Sequence, residues 1–429
     1  MSVEQTVRAR RAPAQMTGQV TAPVTGQVSG RVTAGIDWAS EDHAVAVLDD
    51  QGRPVDRFSV AHTAPDLRRL ITRLRRSGAI EVAIERPDGP VVEALLEAEL
   101  TVFVIDPKQV KNMRGRYGSA GNKDDRFDAY VLADVLRTDR ARMRPLTRDS
   151  EQTITLRMSV RARQDLVHAR VAMGNQLRAH LQITLPGAVK LFRDIDSSIT
   201  LAFLRRFPSQ DKADWLSQTR LANWLGSVGY NHQANTPRLW VHLRDAPRGT
   251  TGPDAAARAQ ITLTLVAALT ALQDQIRALE DQIADQLAHH PDAAIFTSLP
   301  RSGTVRAARL LAEIGDARGR FPTPEALVCL AGAAPSTKQS GKVKVVTFRW
   351  AADRQLRGAV IDFAGDSWQA NPWAADLYTR ARARHLDHPH ATRILARAWL
   401  HVIWRCWQDH APYDPAKHRA LQRVLAQEA

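Results

Sequence analysis

The chain has 429 residues, 44% of them hydrophobic and 24% charged. That balance suits a well-cored globular protein of about two or three domains and excludes a fibrous or wholly disordered chain. Its 59 Lys and Arg against 45 Asp and Glu leave a formal charge of +14, and only nine of the basic residues are Lys. An excess made of Arg points to a polyanionic partner, nucleic acid before anionic membrane, because a guanidinium forks onto phosphate with two parallel hydrogen bonds. Two cysteines, Cys329 and Cys406, exclude a disulfide scaffold and a Cys-rich zinc site. The longest strongly apolar uncharged stretch, 259–273, is too short to span a bilayer, and no apolar leader opens the chain. The expectation is a cytoplasmic protein with no membrane partner.

Residues 1–31 are rich in Arg, Ala, Gly, Thr and Pro, with Thr-Gly-Gln-Val at 17–20 and again at 25–28, and predict a disordered arm. An Arg-rich transit peptide is the alternative reading of the same composition. From 32 to 148 the pattern is α/β. Runs at 32–38, 43–48 and 54–60 read as three strands in a meander, with a turn at Asp50-Gln51-Gly52. Thr63 and Pro65 open a helix carrying Leu67, Leu70 and Leu74. A buried strand over 80–84 ends at Glu85; a helix with Val92, Leu95 and Leu96 follows, then a strand over 101–105 stopped by Pro107, then a helix over 125–136. Three strands followed by helix, strand, helix, strand, helix is the order of an RNase H-like domain.

Residues 149–290 read as a helical arm, with one long helix over 150–185 decorated by Arg157, Arg161, Arg163, Arg170 and Arg178. Residues 190–257 lose the periodicity, carry Trp215, Trp224 and Trp240, and predict an inserted subdomain. Leu265, Leu269, Leu272, Ile276, Leu279 and Ile283 alternate steps of four and three, the stripe of a coiled-coil helix; two long helices flanking an insertion predict an antiparallel arm that could also dimerise. Residues 291–414 predict a mostly helical domain, with a tail over 415–429.

Asp37 ends the first strand and Glu85 the fourth, so both carboxylates fall on one rim of the sheet. Asp125 and Asp128 are three apart and share a helix face. Four acids on one rim repel unless a hard divalent cation with oxygen ligands neutralises them, Mg²⁺ first and Mn²⁺ as substitute. Two such ions about 4 Å apart can activate a nucleophile and stabilise a leaving oxygen in phosphoryl transfer. The plainer alternatives are local: a turn cap at Asp37, an acidic first turn at Asp125 and Asp128, a Glu85–Arg86 pair. The Ser336–Lys342 segment would, by composition, be a solvated turn, although Lys338, Lys342 and Lys344 crowd it. Gly303 sits where a tight turn feeds a helix N-terminus, a common phosphate contact, and a plain helix–turn–helix packing element explains it equally well. Arg157 and Arg161, one helical turn apart, are either a phosphate clamp or a solvated face.

Gly35-Ile36-Asp37-Trp38-Ala39-Ser40, Ala83-Ile84-Glu85-Arg86-Pro87 and Lys123-Asp124-Asp125-Arg126-Phe127-Asp128-Ala129 together resemble the DEDD transposases of insertion-sequence family one hundred and ten, the bridge-RNA-guided recombinases. The resemblance covers roughly 32–185 and 290–413 and leaves 190–257 unaccounted for. It implies that Asp37, Glu85, Asp125 and Asp128 are an acidic metal-binding quartet in a RuvC-like domain. Asp124 stands where the family has Thr or Asn, and Asp124 competes with Asp125 for that position. Leu330-Ala331-Gly332-Ala333-Ala334-Pro335-Ser336-Thr337-Lys338-Gln339-Ser340-Gly341-Lys342 resembles the segment with the family's nucleophilic serine; Ser340 matches by its following Gly341, with Ser336 as the fallback. Leu299-Pro300-Arg301-Ser302-Gly303 resembles the family's helix-hairpin-helix, with Arg301 in place of the usual first Gly; the usual Lys-x-Gly downstream of the serine is replaced by Phe348-Arg349-Trp350-Ala351.

The resemblance implies a nucleoid-associated bacterial enzyme that mobilises an insertion sequence. Ser340 would attack a DNA phosphate beside the metal-bound quartet, giving a serine–DNA ester, and the freed 3′-hydroxyl would later reattack. Lys338, Lys342, Lys344, Arg349, Arg357, Arg157, Arg161 and Gly303 are the candidate nucleic-acid contacts. Donor and target DNA, a structured guide RNA and a homo-oligomer from dimer to tetramer are the implied partners, with quartet and serine meeting across subunits. The competing reading is a RuvC-type, Mg²⁺-dependent endonuclease that uses carboxylates alone.

Overall fold

A computed structural model describes residues 30–117, 124–341 and 343–428. Most of the arm expected over 1–31 therefore lies outside the described residues, as do Lys123 and Lys342. The chain divides between Thr147 and Arg148 into two compact units.

The first unit runs β1 (Thr33–Trp38), β2 (Asp42–Leu48), β3 (Pro54–Ala61), α1 (Ala64–Arg76), β4 (Glu81–Ile84), α2 (Pro90–Glu97), β5 (Thr101–Val104), α3 (Pro107–Arg114) and α4 (Asp125–Asp139). The sheet order is β3-β2-β1-β4-β5. β1, β2 and β3 are antiparallel neighbours, whereas β4 runs parallel to β1 and β5 parallel to β4. That mixed sheet is the RNase H-like arrangement expected from the order of elements. The parallel strands are short and apolar on both faces because helices cover both. Ala34, Ile36, Val82 and Ile84 face Leu70 and Leu74 of α1 and Val91, Val92 and Leu95 of α2. Ala83 and Phe103 face Val131, Leu132, Val135 and Leu136 of α4. Sequence patterning missed α3: Pro107 does not simply stop the strand but starts a helix, with Asp106 capping it through the backbone N–H of Lys108.

The second unit is helical. It contains α5 (Glu151–Thr184), α6 (Ser198–Arg206), α7 (Gln210–Asp214), α8 (Gln218–Ser227), α9 (Thr236–Asp245), α10 (Asp254–Ala288), α11 (Ala293–Thr297), α12 (Gly303–Ile314) and α13 (Pro324–Leu330). A hairpin of β6 (Ser336–Ser340) and β7 (Val343–Thr347) precedes α14 (Arg354–Ser367), α15 (Pro372–Ala383), α16 (His388–Gln408) and α17 (Arg419–Glu428). α5 and α10 lie antiparallel: Arg163 pairs with Glu280 at 2.6 Å near one end, and His180 Nε2 lies 3.0 Å from Thr262 Oγ1 near the other. Leu177, Leu181, Leu265, Val266 and Leu269 build one core with α6, α8 and α9; Leu156, Val160, Ile283 and Leu287 join a second with the C-terminal helices.

This packing bears on two readings. Leu265, Leu269, Ile276 and Ile283 of the heptad-like stripe are buried inside the chain, as an antiparallel arm of α5 and α10 requires. α10 is, among the described residues, the one helix long and apolar enough by composition to cross a membrane, which the 259–273 stretch alone did not suggest. Its Leu265, Val266 and Leu269 pack on α5 and the insertion.

Candidate active site

Alternation along β1 places Thr33, Gly35 and Asp37 on the face opposite Ala34 and Ile36, under α4. Thr33 Oγ1 donates to the Ala133 carbonyl at 3.2 Å, and the backbone of α4 at Ala129 and Ala133 presses onto Gly35. A Cβ at Gly35 would lie 2.1 Å from the Ala129 carbonyl oxygen, so glycine is what lets helix and strand touch. Four residues of helix advance about 6 Å and two residues of strand about 6.7 Å, so the two elements keep step as they run in opposite directions. Continuing that match from Ala133 over Thr33 and Ala129 over Gly35 brings Asp125 and its neighbours over Asp37. Accordingly, Asp37, Asp125 and Asp128 each offer a carboxylate oxygen, all within 4.8 Å of one another.

Asp128 is buried, Asp37 half-buried and Asp125 exposed, a gradient from core to solvent across the cluster. Arg114, at the end of α3, forms an ion pair with Asp128. Asp124 is a different case: it caps α4 by accepting the backbone N–H of Arg126 at 3.1 Å. Of the two competing acids, the structure brings Asp125 to the cluster. Glu85 follows Ile84, whose register partner on β1 is Ile36, so Glu85 and Asp37 emerge from adjacent parallel strands. Its carboxylate is not one of the three grouped within 4.8 Å. The geometry thus assembles three of the four acids and leaves the fourth beside them at the strand end.

Two residues that matter to this geometry were missed in the sequence. Gly35, inside a strand and two positions before Asp37, carried the usual signal of a close backbone approach. Arg114 carried none, because α3 was not recognised.

Behind Asp37, His43 is fully buried; its Nδ1 accepts the Ala39 N–H at 3.4 Å and its Nε2 lies 2.9 Å from His62 Nδ1. Burial, reinforced by the neighbouring His62, holds the His43 imidazole below its ordinary pKa.

The serine segment is a two-stranded ribbon, not the simple turn its composition suggested. Ser340 ends β6 and pairs in register with Val343, and Gly341 takes φ +53°, the left-handed region, to begin the reversal. Ser336, Lys338 and Ser340 lie on one face of the ribbon; Lys344, opposite Gln339, lies on the other. Lys338 is therefore the lysine that shares a face with Ser340, and Lys344 is not. Both strands are largely exposed, including Val343, Val345 and Val346.

Arg349 and Arg357 tie the ribbon to the helical body, not to solvent. Arg349 Nε donates to the Ala334 carbonyl at 3.3 Å, and Arg357 Nη2 donates to the Arg349 carbonyl at 2.7 Å, with its guanidinium over the Phe348 ring at 4.7 Å. Arg157 and Arg161 are likewise turned inward. Arg157 Nε donates to the Ala312 carbonyl at 2.6 Å and pairs with Asp149; Arg161 grips the buried Glu313 at 2.7 and 3.0 Å. These arginines stitch α5 to α12, so the phosphate-clamp reading of the pair is corrected.

Gly303 begins α12 with φ +60°, and Arg301 adopts φ +54°, the conformation that a glycine there would take without strain. The Ser302 side chain makes no cap bond to the first turn, and among the described residues its buried Oγ has no hydrogen-bond partner.

Residues 34–186 match a family described as Transposase, and residues 293–379 match the Transposase IS116/IS110/IS902 family. A Streptomyces coelicolor protein described as a transposase of the IS117 mini-circle is 33% identical over 406 residues, covering 91% of this chain and 97% of its own. The 42 kDa protein of insertion element IS900 from Mycobacterium paratuberculosis is 27% identical over 391 residues, covering 89% of this chain and 97% of its own. Among solved structures, RuvC of T. thermophilus in complex with a Holliday junction substrate is 18% identical, with a TM-score of 0.23, covering 27% of this chain and 99% of its own.

Proposed function

The chain belongs to the IS116/IS110/IS902 family of insertion-sequence transposases, and from that premise we propose that it cuts and rejoins DNA through a serine ester with the help of a metal-binding acidic site. The observation that carries the reading is the convergence of Asp37, Asp125 and Asp128 within 4.8 Å. An all-carboxylate donor set of graded burial suits a hard divalent cation such as Mg²⁺, with Mn²⁺ as substitute. Asp37, Asp125 and Asp128 would hold it, and Glu85, on the adjacent strand end, would complete the set. When bound, such an ion stabilises negative charge on a phosphate and its leaving oxygen.

The chain's own residues do the rest. Ser340 Oγ attacks the phosphorus of a strand, its proton passing to the solvent around the exposed ribbon. The bond to the 3′-oxygen breaks, and that oxygen takes up a proton. The later attack of a 3′-hydroxyl on the ester reverses these steps, so strands exchange without net hydrolysis. Lys338, on the face of Ser340, would hold the phosphate and offset its developing charge. The first-turn N–H groups of α12 at Gly303, which the Ser302 side chain leaves uncapped, would hold a neighbouring backbone phosphate. The formal charge of +14 supports long polyanionic partners, and donor DNA, target DNA and a structured guide RNA are the partners we propose, bound by a homo-oligomer.

One observation favours a carboxylate-only nuclease: the acids are assembled, whereas among the described residues Ser340 has no hydrogen-bonded base. Strand cleavage assayed across a Mg²⁺ titration tests the acidic site. Asp37→Asn and Asp128→Asn should each abolish cleavage by the folded protein. Cleavage that persists in both variants, or that is indifferent to chelation, refutes the metal-site reading.

A further inference from the structure

The insertion over 190–257 carries a cleft that plays no part in the chemistry above. It lies between the end of α5, the turn that follows it, and α9, and encloses about 590 Å³. α9 faces it with Arg238, Val241, His242 and Asp245, spaced at three, four and seven residues and hence on one helical face. Leu239, Trp240 and Leu243 of the same helix point the other way, into the core of the insertion. Across the gap stand Lys190 and the apolar Val189. The walls are built, not frayed: the backbone N–H of Thr250 donates to the Ile183 carbonyl at 3.1 Å, tying the chain after α9 to the last turn of α5.

The chemistry of this lining is specific. Among the described residues the side chains of Lys190, Arg238, His242 and Asp245 have no ion pair or hydrogen bond, whereas the arginines of α5 singled out as phosphate contacts are spent internally. Two unpaired cations over an apolar floor, with a carboxylate and an imidazole beside them, match a phosphate, an unstacked base and the N–H or hydroxyl donors of base and sugar. A duplex would leave that floor uncovered, because its bases are stacked inside.

We infer that this cleft binds an unpaired nucleotide of a single-stranded nucleic acid: Lys190 and Arg238 hold the phosphate, Val189 and Val241 cover the base, and His242 and Asp245 bond its polar edge or the sugar. The inference rests on the reading of the chain as a transposase that handles nucleic acid, and adds a site to it.

The test is photocrosslinking of the full-length protein with mixed-sequence single strands, one RNA carrying 4-thiouridine and one DNA carrying 4-thiothymidine. Crosslinked peptides are then mapped by mass spectrometry. Crosslinks should fall on the peptides holding Val189 or Val241 and disappear in a Lys190→Glu, Arg238→Glu double variant. Both residues are exposed and unpaired, so the variant should melt like the wild type. Its single-strand affinity should fall about tenfold, and its salt-dependence slope by about 0.7 for the one phosphate the two cations hold. Crosslinking by RNA alone assigns the occupant to an RNA; crosslinking by DNA alone assigns it to an opened DNA strand. No crosslink to either peptide, crosslinks unchanged in the double variant, or equal crosslinking by a fully paired duplex overturns the inference. Crosslinks elsewhere with serine–DNA adduct formation intact would sink the cleft alone; cleft crosslinks without any adduct would sink the serine mechanism alone.

Discussion

Replacing Gly35 by alanine tests the contact on which the acidic site depends. The new methyl carbon would lie 2.1 Å from the Ala129 carbonyl oxygen, 2.4 Å from the Ala133 nitrogen and 2.9 Å from Leu132 Cβ. The two closest neighbours are backbone, so neither can swing aside. α4 must withdraw by about 0.9 Å merely to bring the first contact to 3.0 Å. Overpacking of this kind costs about 1–3 kcal/mol, and clashes against backbone belong at the upper end. At about 4 °C per kcal/mol, the N-terminal unit should melt about 12 °C lower. The same withdrawal carries Asp125 and Asp128 away from Asp37. Two oxygens on one Mg²⁺ are at most about 4.2 Å apart, twice a bond of about 2.1 Å, and these oxygens lie within 4.8 Å of one another, so a withdrawal of α4 opposes the small closure that shared coordination requires. The assay is hydrogen exchange of α4 peptides with and without millimolar Mg²⁺. Wild-type protection should rise with the ion, whereas the Gly35→Ala protein should exchange faster and ignore it. Equal exchange in the two proteins, with the same response to Mg²⁺, would refute the packing argument and its link to the site.

Three further outcomes follow from the same structure. Saturating Mg²⁺ should raise wild-type stability by about 2.7 kcal/mol at a hundred times the dissociation constant, and Asp37→Asn should remove that gain in a calorimetric melt. Arg161→Ala strands the buried Glu313 carboxylate and should cost about 2 kcal/mol, discounted for the half-exposed guanidinium, without changing the salt dependence of DNA binding. His43, His180, His290 and His418 are all held below 6.5, first of all by burial, so the unfolded chain binds more protons than the folded one below that pH. Their contribution should be whole above about pH 6.5 and fall as the pH drops toward the folded values, by up to about 1.4 kcal/mol per pH unit for each group, in melts run from neutral to mildly acidic pH.

The N-terminal unit was legible because its signals are local. Alternation fixed which residues of β1 face α4, and the strand ends carried Asp37 and Glu85 to one rim. Asp124 and Asp125 could not be told apart from sequence, since both share a face with Asp128 across a turn; the cap bond to Arg126 separates them. The second unit was harder because its partners are distant in the chain. Arg157 and Arg161 meet Ala312 and Glu313 more than 150 residues away, and nothing near them announces it. The leucine stripe of α10 is legible as one side of an antiparallel arm, and its partner is α5 of the same chain. The serine ribbon escaped because Lys, Ser and Gly dominate β6 and the turn, residues that usually mark turns, while Val343, Val345 and Val346 carry the strand signal in β7 alone.

The central claim is that Ser340 forms an ester with DNA in a reaction that needs the carboxylate-bound metal. It is tested most directly on a denaturing gel, with labelled donor and target DNA, Mg²⁺ and the protein co-expressed with RNA from its element. The account predicts a protein-linked DNA band in the wild type that is absent from Ser340→Ala. Free cleaved ends with no linked band, in equal amount in both proteins, would contradict it.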